Sequence, residues 1–202
     1  STGKVSLEWE APESTLYGGY LDEPNLRYDV VRYPGGVKVA DKTFLNMFSE
    51  TVSCDELASY YYTVCAVNHD KTGEAAGTEK VTVGEAFNVP FDDDFSTQDY
   101  YGLYDVADVA GDDVTWKEAM NSFSIFYHWT NPLDDWLFTP PVRLDAGVTY
   151  SFTVGLRGGS SYDEESFEIG FGNGADPASY SIVLEETKVK SSNYSDYRCS
   201  VT

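Results

Sequence analysis

Apolar side chains recur at every second position in stretch after stretch of this chain, and that period restricts its fold more than any other feature. Val5, Leu7 and Trp9 alternate with Ser6 and Glu8. Tyr28, Val30 and Arg32 follow the same rule, as do Tyr60, Tyr62, Val64 and Ala66, then Tyr150, Phe152, Val154 and Leu156, then Phe167, Ile169 and Phe171. A period of two, rich in Val, Tyr, Phe and Thr, places one face of an extended strand in a core and the other in water. Pro34-Gly35-Gly36, Gly158-Gly159-Ser160-Ser161 and Gly172-Asn173-Gly174 supply the turns between such strands. Phe44, Met47 and Phe48 are spaced for a helical turn, although a strand fits them equally well. The class predicted is all-β.

The 202 residues carry a formal charge of −21, yet 15% are aromatic and 16 are tyrosine. A disordered acidic chain lacks aromatic content of that order, so the charge belongs to the surface of a folded protein. Such a surface repels nucleic acid and anionic lipid, both of which require Lys/Arg footprints. Cations, neutral glycans and basic protein patches remain as partners. No apolar run is long enough to span a bilayer. Three cysteines, Cys54, Cys65 and Cys199, have neither CxxC spacing nor a Cys/His metal pattern. Buried free thiols are the expected state, with a Cys54–Cys65 bridge as the alternative.

Catalysis has little support in the sequence, although its many carboxylates supply the residue type of a glycosidase pair. His69 and His128 are the two histidines, far apart and without a neighbouring motif. No HExxH, P-loop or dinucleotide fingerprint occurs, and Gly158 to Tyr162 reads as a hairpin turn, not a nucleophile elbow. Carboxylates crowd Asp92-Asp93-Asp94, Asp108 to Asp113 and Asp134-Asp135, and a large aromatic follows each group: Phe95, Trp116 and Trp136. Like charges this close need water or a shared hard cation, for which carboxylate oxygens are the natural ligands. Asp94, Asp108, Asp112 and Asp135 are the candidate ligands for structural Ca²⁺; solvated acidic loops are the alternative. Trp116 and Trp136 are expected in the core. Trp129, in the turn-like His128-Trp-Thr-Asn-Pro132, and Tyr100-Tyr101 are candidates for stacking on a sugar ring.

A change of composition near Gly84 divides the chain into domains at 1–84 and 85–202. Within the first, Val5-Ser-Leu-Glu-Trp9-Glu-Ala-Pro12, Tyr28 to Arg32, Tyr60 to Asn68 and Thr78 to Val83 resemble the second, third, sixth and seventh strands of a fibronectin type III domain. That resemblance implies a β-sandwich in which the hydroxyl of Tyr60 ties a corner loop. Almost nothing precedes Val5, so the first strand of that fold is expected to be missing. Within the second domain, Pro90 to Phe95, Asp108-Val-Ala-Gly-Asp-Asp-Val-Thr-Trp116 and Asp134-Asp-Trp-Leu-Phe-Thr-Pro-Pro141 followed by Leu144 to Tyr150 resemble the bacterial cleaved-adhesin (choice-of-anchor J, gingipain haemagglutinin-like) family. The resemblance implies a jelly-roll sandwich with structural calcium. Ser96 stands where that family has an acidic residue, Asp113 where it has glycine, and its closing strands do not occur before Thr202. Both domains are therefore expected to be truncated at their outer ends. The resemblance implies a non-catalytic, secreted or surface-exposed bacterial binding protein that recognises host or self glycan or protein. The alternatives are an accessory module of a larger secreted protease or glycoside hydrolase, and a structural spacer.

Overall fold

The computed structural model describes residues 2–159, 164–189 and 192–202. Those residues are all-β, and their only helical turns are short 3₁₀ segments at Glu23–Asn25, Tyr101–Leu103 and Pro177–Ser179. The expected turn at Ser160-Ser161 lies outside the described residues. The chain divides into two compact units, Ser1–Glu85 and Ala86–Thr202.

The first unit contains β1 (Thr2–Glu8), β2 (Leu26–Tyr33), β3 (Val37–Thr43), β4 (Met47–Ser53), β5 (Ala58–Asn68), β6 (Lys71–Gly77) and β7 (Val81–Val83). β1 pairs with β4 antiparallel, and a second sheet runs β3-β2-β5-β6, with β7 on β5. The alternating residues face inward from both sheets. Val5 of β1, Val52 of β4, Val30 of β2 and Tyr62 of β5 form one buried cluster, and Leu7, Trp9, Phe48, Tyr60 and Val64 pack against it. Apolar area removed from water drives that association.

Several local expectations change. Met47 begins a strand, and Phe44 projects from the preceding turn with its ring mostly in solvent. The strand expected at Thr78 to Val83 is instead the second half of a broken edge. Lys71–Gly77 pairs with the C-terminal half of β5, and Val81–Val83 pairs with its first residues, Ala58 to Tyr60. Thr78 makes the join, donating its N–H to the Tyr62 carbonyl at 2.9 Å and accepting the Tyr62 N–H on Oγ1 at 3.0 Å. Lys71–Gly77 escapes a pattern search because every side chain on it is exposed. Arg32 continues the inward face of β2 as half of an ion pair: its guanidinium meets Glu50 at 2.8 Å, and Glu50 also accepts the Tyr62 hydroxyl at 2.8 Å. Burial and that neighbouring carboxylate raise the Tyr62 phenol well above its ordinary pKa. Tyr62 thus makes the buried hydroxyl bond, and Tyr60 lies beneath Arg32.

The second unit contains β8 (Asp105–Asp108), β9 (Lys117–Ala119), β10 (Ser122–Ser124), β11 (Asp135–Phe138), β12 (Tyr150–Leu156), β13 (Glu165–Phe171), β14 (Ser181–Val189) and β15 (Ser195–Val201). Its strands pair by nesting. β8 pairs with β11 around the β9–β10 hairpin, and β12 pairs with β15 around β13–β14. Aromatic rings form much of its interior. Phe95, Tyr101, Tyr104 and Phe123 pack at centroid separations of 4.9–5.8 Å. Trp136 stacks on Phe138, and both meet Tyr180. Gly170 leaves room for that group, since a Cβ there would approach the Trp136 ring at 3.4 Å. Among the described residues the cysteines form no disulfide, and no helix is long and apolar enough to cross a membrane.

Candidate cation and ligand site

The β8–β11 pairing places Asp135 directly opposite Asp108. Side chains of directly opposed residues share one face of a sheet, and like charges there destabilise the pair. The two carboxylates receive different treatment. Asp108 closes its own loop: Oδ1 accepts the Gly111 N–H at 2.5 Å and the Asp112 N–H at 3.2 Å, and Oδ2 accepts the Asp113 N–H at 2.8 Å. Gly111 and Asp113 both have positive φ, at 67° and 63°, which turns successive amides toward one carboxylate. Desolvation pushes Asp108 upward, but the three amides outweigh it and hold its pKa below the usual value. Asp112 bonds in the same manner to Val114 N at 3.0 Å.

Asp135 has no such relief. Both carboxylate oxygens are enclosed, and neither has a hydrogen-bond partner of good geometry. Desolvation, followed by the charges of Asp108 and Asp112, pushes its pKa up; the Asp134 backbone N–H opposes the rise only in part. The strand position is fixed from behind, because Trp116 donates its indole N–H to the Asp135 carbonyl at 3.0 Å. A buried polar group without a partner costs about 1–3 kcal/mol.

Three of the four sequence-predicted ligands therefore belong to one electrostatic group: Asp108, Asp112 and Asp135. Asp94 stands apart from it. Its Oδ1 accepts the Ser96 N–H at 2.9 Å, and that turn lowers its pKa. Asp93 behaves alike, accepting the Phe95 N–H at 2.9 Å and the Tyr104 hydroxyl at 3.1 Å. Asp93 and Asp94 thus each accept a backbone N–H two residues ahead. Among the described residues, no three His, Cys, Asp or Glu side chains stand as a ready-made metal cage. The donor chemistry at Asp135 nevertheless fits a hard divalent cation, which takes carboxylate and loop-carbonyl oxygens and supplies the charge this carboxylate lacks.

Beside the acidic loop lies an aromatic one. Trp129 is 85% exposed and packs edge-on to Tyr127 at 4.9 Å, with Phe126 also open to solvent. The turn below them is held by His128, whose Nδ1 accepts the Asn131 N–H at 3.1 Å and the Thr130 N–H at 3.3 Å. The same Nδ1 lies 3.6 Å from Asp112 Oδ2. Asn131 then donates Nδ2 to Asp112 Oδ2 at 3.2 Å, tethering the aromatic loop to the acidic one. Sequence reasoning missed this tether, because nothing in the spacing of His128, Asn131 and Asp112 signals it. Tyr101 is 4% exposed, with its hydroxyl on the Ala119 carbonyl at 3.0 Å, so it has no open face for a sugar. Tyr100 packs against Phe87 and Phe91. No family model, no curated protein and no solved structure matches the chain.

Proposed function

We propose that this chain is a non-catalytic, extracellular binding segment of a bacterial surface, in which a fibronectin type III-like sandwich carries a jelly-roll-like binding domain. The sheet order β3-β2-β5-β6 over β1-β4, closed on one shared core, supports the first assignment. The nested strand pairs support the second. The observation that carries the functional reading is the enclosed, unpartnered carboxylate of Asp135 opposite Asp108. Asp135 and Asp112 would hold Ca²⁺, with Asp108 setting the loop around it. The cation offsets their repulsion and, through Asn131, steadies the loop that presents Phe126, Tyr127 and Trp129. A loop ordered before the ligand arrives loses less entropy on binding. The ligand is a neutral glycan or a protein surface.

The test is retention of the labelled chain on immobilised host glycans and matrix proteins, in calcium and in EDTA. Retention that needs both calcium and Trp129 supports this reading. Retention indifferent to EDTA and to Trp129→Ala removes the site, and no retention on any surface favours a structural spacer.

A further inference from the structure

The two sheets of the first unit treat their edges differently. A regular edge strand presents unpaired N–H and C=O groups to any other strand, and folds blunt such edges with bulges, breaks and charges. The β3-β2-β5-β6 sheet is blunted on both sides. β3 meets β2 through two register shifts and has Lys42 at a positive φ of 48°. The opposite edge shifts register between Cys65 and Val67 and breaks at Thr78, where β6 gives way to β7. β1 has neither protection. Its seven residues, Thr2–Glu8, pair with β4 without a register shift, and among the described residues no strand pairs with its other side. On its inner face Val5 is buried and Gly3 and Leu7 are half-buried, while Thr2, Lys4, Ser6 and Glu8 are exposed on the outer face. The residues opposite Lys4 and Glu8 on β4 are Thr51 and Met47, neither of them charged.

We propose that β1 pairs antiparallel with β1 of a second copy of this chain, about a twofold axis at Ser6, so that one continuous sheet runs β4-β1-β1-β4 through both molecules. Directly opposed residues of antiparallel strands share a face, and a twofold axis makes every contact reciprocal. With Ser6 opposite Ser6, Lys4 falls opposite Glu8 twice on the outer face, and Val5 falls opposite Leu7 twice on the inner one. Opposite charges and apolar pairs so placed stabilise a sheet. Within β1, moving the axis to Val5 or to Leu7 removes the Lys4–Glu8 pairs. β4, at the other side of that sheet, carries Glu50 and no cation, so no twofold axis on it matches charges. The chain's charge of −21 opposes the approach of two copies, which keeps the dimer weak. The pairing uses residues of the first unit and does not depend on the cation site.

The experiment is sedimentation equilibrium of the 202-residue chain, from micromolar to millimolar concentration, at physiological salt and in EDTA so that cation binding plays no part. We expect the average mass to climb toward that of two chains. Lys4→Glu and Glu8→Lys should each weaken association by about tenfold or more, because each sets like charges opposite one another. The double reversal Lys4→Glu, Glu8→Lys should restore it. All these changes fall on exposed side chains, so the fold is kept. Glu8→Lys discriminates most sharply, since it lowers the net charge and would strengthen any unspecific association. The mass of one chain throughout, a dimer that either single variant leaves intact, or a double reversal that stays monomeric would each overturn the proposal.

Discussion

Replacing Asp135 with asparagine should stabilise the second unit when divalent cations are removed, although a buried polar network is usually weakened by such a change. In the native chain, two enclosed oxygens without partners face a second carboxylate across β8–β11. Asparagine keeps the shape, removes the charge and can donate toward Asp108. Relief of the desolvation cost and of the cross-strand repulsion amounts to about 1–3 kcal/mol. For a unit of this size that is roughly 4–12 °C in Tm. The sign follows from linkage. The Asp135 pKa is raised in the folded chain, so the stability it contributes is complete below the unfolded value and disappears as pH rises through the folded one. The advantage of Asp135→Asn over wild type should therefore widen from acid to neutral pH in EDTA. Saturating calcium should cancel or reverse that advantage, since a ligand at 100 times its Kd adds about 2.7 kcal/mol to the state that binds it. Thermal unfolding of both proteins, in EDTA and in calcium across a pH series, reads all of this. A variant less stable than wild type in EDTA, with calcium shifting neither, would refute the reasoning and make Asp135 an ordinary hydrated carboxylate.

Other substitutions probe the frame around the site. Asp108→Ala should lower the Tm of the second unit at neutral pH. The deficit should shrink as pH falls through the lowered pKa of Asp108, opposite in sign to Asp135. Trp129→Ala should leave the unfolding transition within about 0.5 kcal/mol of wild type, because the side chain is exposed, and Trp136→Ala should cost about 3–5 kcal/mol, because Phe138, Tyr180 and Gly170 pack on it. Tyr62→Phe should destabilise the first unit by about 1–2 kcal/mol in urea titrations, by removing the hydroxyl bond to Glu50. Gly84→Ala should cost about 3 kcal/mol or more: φ is +110°, and a Cβ would collide with the Glu56 carbonyl and the Leu57 backbone.

The all-β class was legible because the inward residues of the long strands are large and alternate strictly, as in Tyr28 and Val30 or Tyr60, Tyr62 and Val64. Strands without that contrast left no trace. Lys117–Ala119 and Ser122–Ser124 are three residues each and have no fully buried side chain. The meeting of Asp108 and Asp135 depends on strand register across an intervening hairpin, which residue types alone do not encode. The turn bond from the Ser96 N–H to Asp94 was likewise not readable from residue type, and neither was the separation of Asp94 from the charges that act on Asp135. Tyr101 misled for a related reason: Tyr-Tyr-Gly suggests an exposed turn, yet its first residues enter a 3₁₀ segment that buries the second ring among Phe95 and Phe123. The exposure of Trp129 was legible in its polar, proline-bounded surroundings.

Calorimetric titration of the EDTA-stripped chain with calcium tests the central claim most directly. The account predicts a saturable binding isotherm in the wild type that disappears in Asp135→Asn and survives in Asp94→Asn. No heat of binding, or an isotherm that Asp135→Asn leaves intact, would contradict it.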